Sequence, residues 1–217
     1  MNEILIYQPI GENFWEPEKS MTAETIKNQL DGDITVRIDS PGGDVFAGFA
    51  IYNLLAQHDG KVTVYVDGAA ASAASIIAMA GDDVYLPETS VIMIHDPWTM
   101  AVGDSTNMKK TAELLDTIKD AIIPAYTAKT GLDAEQISDM MSEETWLTGA
   151  QAAEMGFGTL IEGSGKRKAS NFAHPWIKNA PKTEQTQPEP KQQEPTQPKA
   201  IKTKLQRRRL ELAQLKH

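Results

Sequence analysis

The stretch VDGAAASAAS, residues 66–75, holds only alanine and serine after Gly68. Its two hydroxyls, Ser72 and Ser75, precede the apolar run IIAMAG. A serine nucleophile needs a base, backbone N–H donors for an oxyanion, and small neighbours that admit a substrate backbone. The first turn of a helix supplies unused N–H groups and the positive end of the helix dipole. Ser72, where the apolar segment begins, has that position. Ser75, deeper along the segment, is placed to bond back to a carbonyl. On these residues alone, close packing of small side chains is the weightier account of the run.

The deciding partner is a base. Of the four histidines, His174 and His217 fall near the C-terminal end, and His58 falls at the end of a helix, where the dipole accounts for it. His95, in VIMIHDPW, closes an apolar strand. A satisfied core histidine is the plain alternative for it. Asp96 follows directly, and neighbouring strand residues point to opposite faces, so it is a poor third member. The segment DSPGGD (39–44) adds a Gly-Gly turn between a strand and a helix, which exposes backbone N–H groups. Such turns are common. Together with Ser72 and His95 the turn completes a set suited to acyl transfer: donor loop, nucleophile at a helix start, base at a strand end.

These residues need a scaffold, and the pattern around them supplies one. DITVRIDS (33–40) and KVTVYVDG (61–68) alternate apolar and polar residues as strands do. Between them VFAGFAIYNLLAQHDG is apolar almost all round and predicts a buried helix ending at Gly60. A short helix over 72–81 follows, then strands in DVYLPE and SVIMIHDP. This order predicts βαβ units with right-handed crossovers. A long helix is expected over 104–129, with an apolar stripe of Met108, Thr111, Leu115, Ile118, Ile122 and Tyr126, and a bend near Pro124. One apolar face suits a helix that stands off the core. Two shorter helices are expected, one over 133–142 capped by Asp133 and one after Thr148.

The 217 residues contain no cysteine, which excludes disulfides, thiolate metal sites and cysteine nucleophiles. No signal-peptide pattern and no run approaching a membrane span is present, so a cytoplasmic protein without membrane contact is expected. Nothing in the pattern calls for a metal or other cofactor. The net charge of −9 divides unevenly: residues 1–165 carry 8 basic and 26 acidic side chains, and residues 166–217 carry 13 and 4. The acidic body gives no reason to expect nucleic-acid binding. Pro- and Gln-rich sequence reads as a disordered linker. The chain therefore divides into a domain over 1–163, a linker over 164–200 and a basic amphipathic helix over 201–217. That helix is either a solvated tail or a docking element for an acidic partner.

With these pieces assembled, the sequence resembles the Clp protease proteolytic subunit family over roughly residues 32–163. The matching stretches are IDSPGGDVFAGFAIYNLL, GAAASAASIIAMAG, MIHDP and WLTGAQAAEMGFG, in that order. The resemblance implies an α/β, crotonase-like βαβ superhelix with a protruding handle, which the 104–129 helix would form. It implies Ser72 as nucleophile, His95 as base, and the N–H groups of Gly43 and Ala73 as the oxyanion hole. The family places an aspartate two residues before an aromatic-Leu-Ser/Thr stretch; here EETWLTGA puts Glu144 there, with Asp139 and Glu143 as lesser candidates. It also implies homo-oligomeric rings, stacked through their handles, that enclose the sites and act on protein substrates.

SPGGDVFAGFAIYN, EETW and the basic C-terminal stretch look most like the phage and prophage branch, implicated in capsid maturation, where capsid and scaffold proteins are cleaved. The alternative is a housekeeping subunit working with an ATP-dependent unfoldase. Further off stand a crotonase-type CoA enzyme, which uses carboxylate acid–base groups and needs no Ser–His pair, and an inactive scaffold subunit.

Overall fold

The computed structural model describes residues 2–163. The expected linker over 164–200 and helix over 201–217 lie outside the described residues. The frame is a seven-stranded sheet. Strands β1 (Asn2–Ile6), β2 (Ile34–Ser40), β3 (Val62–Ala71), β4 (Asp83–Pro87) and β7 (Thr159–Ile161) run parallel in that order. Parallel neighbours need crossovers, and helices supply them. Helix α1 (Ala23–Ile26) lies between β1 and β2, α2 (Val45–Ala56) between β2 and β3, and α3 (Ala73–Ala78) between β3 and β4.

Strand β3 is the axis of the arrangement. Residues Thr63–Tyr65 pair with β4, and Ala69–Ala71 pair with β5 (Val91–Ile94). Strand β5 in turn pairs antiparallel with β6 (Thr145–Thr148). The sequence pattern ends this strand at Gly68; the structure carries it through the alanine run. The first half alternates, with Val62, Val64 and Val66 buried and Thr63 and Tyr65 partly open. The second half is buried at Ala69, Ala70 and Ala71, so small side chains stand where both faces are covered. The alternation that signals a strand is lost there.

The small residues also bring helices together. A Cβ on Gly48 of α2 would stand 3.1 Å from the Ala73 Cβ of α3, so the two helices pack closely. Helix α2 begins on Asp44, whose side chain accepts from Ala47 N at 2.8 Å. It buries one face only, through Gly48, Ile51 and Leu55, and leaves Phe46 exposed, so the expected burial on all sides does not hold in the single chain.

Helix α4 (Ser105–Thr130) is continuous for 26 residues, capped by Asp104 and closed by Gly131 at φ +75°. Its first turns are exposed all round, and burial begins at Ile118. Helix α5 (Ala134–Ser142) starts on a capping box at Asp133, and α6 (Gly149–Glu154) on one at Thr148, as expected from the sequence. Strands β1, β6 and β7 and helix α1 go beyond the elements expected from the sequence; they are short, from three to five residues, and periodicity has little to act on over that length. No helix among the described residues is long and apolar enough to cross a membrane.

Candidate active site

The carboxyl ends of β2, β3 and β5 come together, the position where parallel sheets commonly build sites. Ser72 follows the last residue of β3. Its N–H donates to Met93 O at 2.9 Å, which fastens the end of β3 to β5. Its backbone takes φ +55° and ψ −127°, a region side chains seldom enter. The sharp turn lifts the hydroxyl clear of the strand and starts α3 in one step. His95 follows β5, and its Nε2 lies 2.8 Å from Ser72 Oγ. With the serine hydroxyl donating, Nε2 accepts and the ring proton sits on Nδ1.

Burial lowers the pKa of His95 below the ordinary histidine value, against the opposing pull of the Glu144 and Asp96 charges. The ring is therefore neutral near pH 7 and free to take a proton.

The Gly-Gly turn lies against the serine. A Cβ on Gly42, at φ +85°, would fall 2.5 Å from Ala71 O, 2.7 Å from Ser72 Cβ and 2.9 Å from Ala73 N. Only glycine fits. The turn is clamped from outside by the segment after β1: Ile10 N donates to Gly42 O at 2.8 Å, and Asp44 N to Ile10 O at 2.9 Å. This pairing uses the groups flanking Gly43, whose own N–H lies on the edge away from Ile10. Ser40 Oγ steadies the turn by donating to Gln8 O and accepting from Gly42 N. Ala73 is the first residue of α3, so the helix leaves its N–H unused. Gly43 and Ala73 both line the cleft beside Ser72.

Glu144, the expected third member, follows α5 and directly precedes β6. Strand β6 pairs Thr145 with Ile94, so one further step in register sets Glu144 opposite His95. Its Oε1 accepts from Trp146 Nε1 at 3.2 Å, and its charge favours the imidazolium. Asp139 and Glu143 are exposed on and just after α5. Ser72 and Glu144 are the two non-glycine residues with positive φ among the described residues. Strain of this kind gathers at working sites, and nothing in the sequence signals it.

Asp96 is engaged elsewhere. Its Oδ1 lies 2.8 Å from Lys119 Nζ, and Ser142 Oγ donates to Oδ2 at 3.2 Å. Lys119, which the sequence pattern places on the polar side of α4, also donates to Ser142 Oγ at 2.8 Å. It ties α4 to segments carrying two members of the site.

A cleft of about 370 Å³ opens over Ser72 and His95. Met93, Ile76, Ile118 and Ile122 make its walls, and the exposed Phe46, Trp98 and Leu114 stand at its edges. Such a cleft suits an extended chain with large apolar side chains.

Residues 3–162 match the family model for Clp protease. The chain belongs to the Clp protease family. It is 37% identical over 139 residues to an ATP-dependent Clp protease proteolytic subunit of Ligilactobacillus salivarius, covering 63% of this chain and 68% of that one. A proteolytic subunit of the same name from Porphyromonas gingivalis is 30% identical over 127 residues, covering 57% of each chain. Among solved structures, a ClpP1 point mutant from Listeria monocytogenes superposes with a TM-score of 0.64 at 26% identity, covering 75% of this chain and 92% of that one. The Clp protease fold, a parallel sheet with crossover helices, is thus the fold of this chain, and membership puts it among the peptide-bond hydrolases.

Proposed function

We propose that the chain is a serine endopeptidase in which Ser72 is the nucleophile and His95 its base. The observation that carries this is the 2.8 Å contact between Ser72 Oγ and His95 Nε2 at the floor of a substrate-sized cleft. In the proposed reaction Oγ attacks the peptide carbonyl carbon while Nε2 takes the hydroxyl proton. The oxyanion faces the N–H groups of Gly43 and Ala73. His95 returns the proton to the leaving amine, and water then hydrolyses the acyl-enzyme by the same steps in reverse order. Glu144 orients the ring and stabilises its charged form. Labelling by a fluorophosphonate tests the assignment: wild type labels and Ser72→Ala does not. Labelling that survives Ser72→Ala and is lost in Ser75→Ala would overturn it.

The exposed outer half of α4, with Met108 open to solvent, supports assembly through that helix with further copies of the chain, in rings that enclose the clefts. For the substrate we propose capsid and scaffold proteins of a phage or prophage, cleaved in the host cytoplasm. The likeness of SPGGDVFAGFAIYN and EETW to that branch supports it. The names of the curated relatives favour the second reading, a subunit served by an ATP-dependent partner. Incubation of wild type and Ser72→Ala with the neighbouring capsid protein, read by mass spectrometry, separates the two. Cleavage by wild type without ATP supports the first. Cleavage only with an unfoldase and ATP supports the second.

A further inference from the structure

Ser75 and Tyr126 take no step in the chemistry proposed above, yet both are buried directly beneath it. Ser75 Oγ donates to Ser72 O at 2.7 Å and lies 2.8 Å from Tyr126 Oη. A hydroxyl has one hydrogen, and a carbonyl only accepts. The hydrogen of Ser75 therefore goes to Ser72 O, and Tyr126 supplies the hydrogen for the second bond. Tyr126 keeps that proton, since burial raises its pKa above the ordinary tyrosine value. Ser72 O also accepts from Ser75 N at 2.9 Å. Ile76 N donates to it as well, at 3.4 Å, so the nucleophile's carbonyl is held from the core side by three donors, of which the Ser75 hydroxyl is braced by a phenol from α4.

The consequence follows from the planarity of the peptide unit. In a trans peptide the C=O of one residue and the N–H of the next point in opposite directions. Drawing Ser72 O into the core turns Ala73 N–H outward, into the cleft lined by Ser72, Ala73, Gly43 and His95. At φ +55° and ψ −127° Ser72 is strained, and rotation of the 72–73 plane would relieve it and swing the N–H away. Bonding at a carbonyl also strengthens the N–H of the same peptide as a donor.

We infer that Ser75 and Tyr126 are positioning residues for the oxyanion donor: the chain from Tyr126 Oη through Ser75 Oγ to Ser72 O fixes the peptide that presents Ala73 N–H. The inference rests on the serine-peptidase reading given above. It also gives the handle-like helix a part in the chemistry. Tyr126 shares α4 with Leu114, Ile118 and Ile122 of the cleft wall, so one helix carries both a substrate surface and the brace of the donor.

The test uses the full chain in four forms: wild type, Ser75→Ala, Tyr126→Phe and the double variant. Turnover of a peptide ester gives kcat and KM, inhibition by a peptide boronate reports tetrahedral binding, and urea unfolding gives stability. Loss of a whole oxyanion donor lowers kcat roughly 10²–10³-fold, so a mis-aimed donor is expected to cost about 10-fold or more, with KM little changed. Boronate affinity should fall by a similar factor. Ser75→Ala strands the buried phenol and is the least stable form. The double variant removes both partners, and recovers stability without recovering kcat. If kcat returns with stability in the double variant, or never falls, the two residues only support the fold and the inference is overturned. A Ser72→Ala control that still turns over the ester would overturn the underlying reading instead.

Discussion

Replacing Gly42 by alanine is the sharpest probe of how the donor loop meets the serine. The added methyl would sit 2.5 Å from Ala71 O and 2.7 Å from Ser72 Cβ, with Ala73 N at 2.9 Å. Ordinary contacts between such atoms begin near 3.5 Å, so the loop and the serine must part by about 0.6–1 Å. None of these neighbours is the tip of a flexible side chain that could swing aside. Left-handed backbone at φ +85° adds ~1–2 kcal/mol for a residue with a Cβ. Overpacking adds ~1–3 kcal/mol. The sum is ~2–5 kcal/mol, below the ~5–15 kcal/mol that holds a typical domain, so the variant should fold. A displacement of about 1 Å in a reacting group costs ~10²-fold in rate, near 2.7 kcal/mol of barrier. Gly32 provides the comparison: it has φ +59°, and a methyl added there would meet nothing within 4 Å, so Gly32→Ala carries the backbone strain alone. Urea unfolding and kcat on a peptide ester, measured for both variants, separate strain from collision. Gly42→Ala with wild-type kcat and the stability of Gly32→Ala would refute the close approach of the loop to Ser72.

Four further outcomes are expected. Because burial lowers the His95 pKa, the acid limb of kcat/KM should have its midpoint below the ordinary histidine value of 6.5, and Glu144→Gln should move it lower still while reducing kcat; a limb above 6.5 would contradict the burial argument. Stability has the same sign: the contribution of neutral His95 is present above its unfolded pKa and is lost as pH falls through the depressed folded one, to be read by urea unfolding across that range. Lys119→Met should move the limb the other way, because it leaves the Asp96 charge beside His95 uncompensated; a limb that stays in place would show that the pair does not reach the ring. Met108→Glu, on the exposed part of α4, should reduce the assembled mass in light scattering, and an unchanged mass would exclude this face of α4 from assembly.

The chemistry of this chain lies near the surface of its sequence, and the mechanics lie deeper. Ser72, His95 and the Gly-Gly turn are legible because each sits where a periodic segment starts or stops. Helix α4 is legible from its apolar stripe, and α5 from its local cap, Asp133. The bracing is not. The bond from Ser75 to Tyr126 spans 51 residues, and the pair of Lys119 with Asp96 joins a helix to a loop 23 residues before it. Family resemblance puts Glu144 ahead of Asp139 and Glu143, and the register of β6 against β5, which sets Glu144 opposite His95, is not visible in the sequence. The end of β3 escapes the sequence pattern because covering both faces of a strand erases its alternation.

The clamp between Ile10 and the Gly42–Gly43 turn bears on what happens when a copy of this chain is damaged. Ser72 and His95 follow the adjacent strands β3 and β5, which Ser72 N and Met93 O fasten together. The turn depends on a different part of the chain, since its register is held by Ile10, near the N-terminus. A copy frayed at that end keeps its serine and histidine but loses the seat for the oxyanion. Activity is thereby made conditional on intact folding at a point far from the reacting atoms.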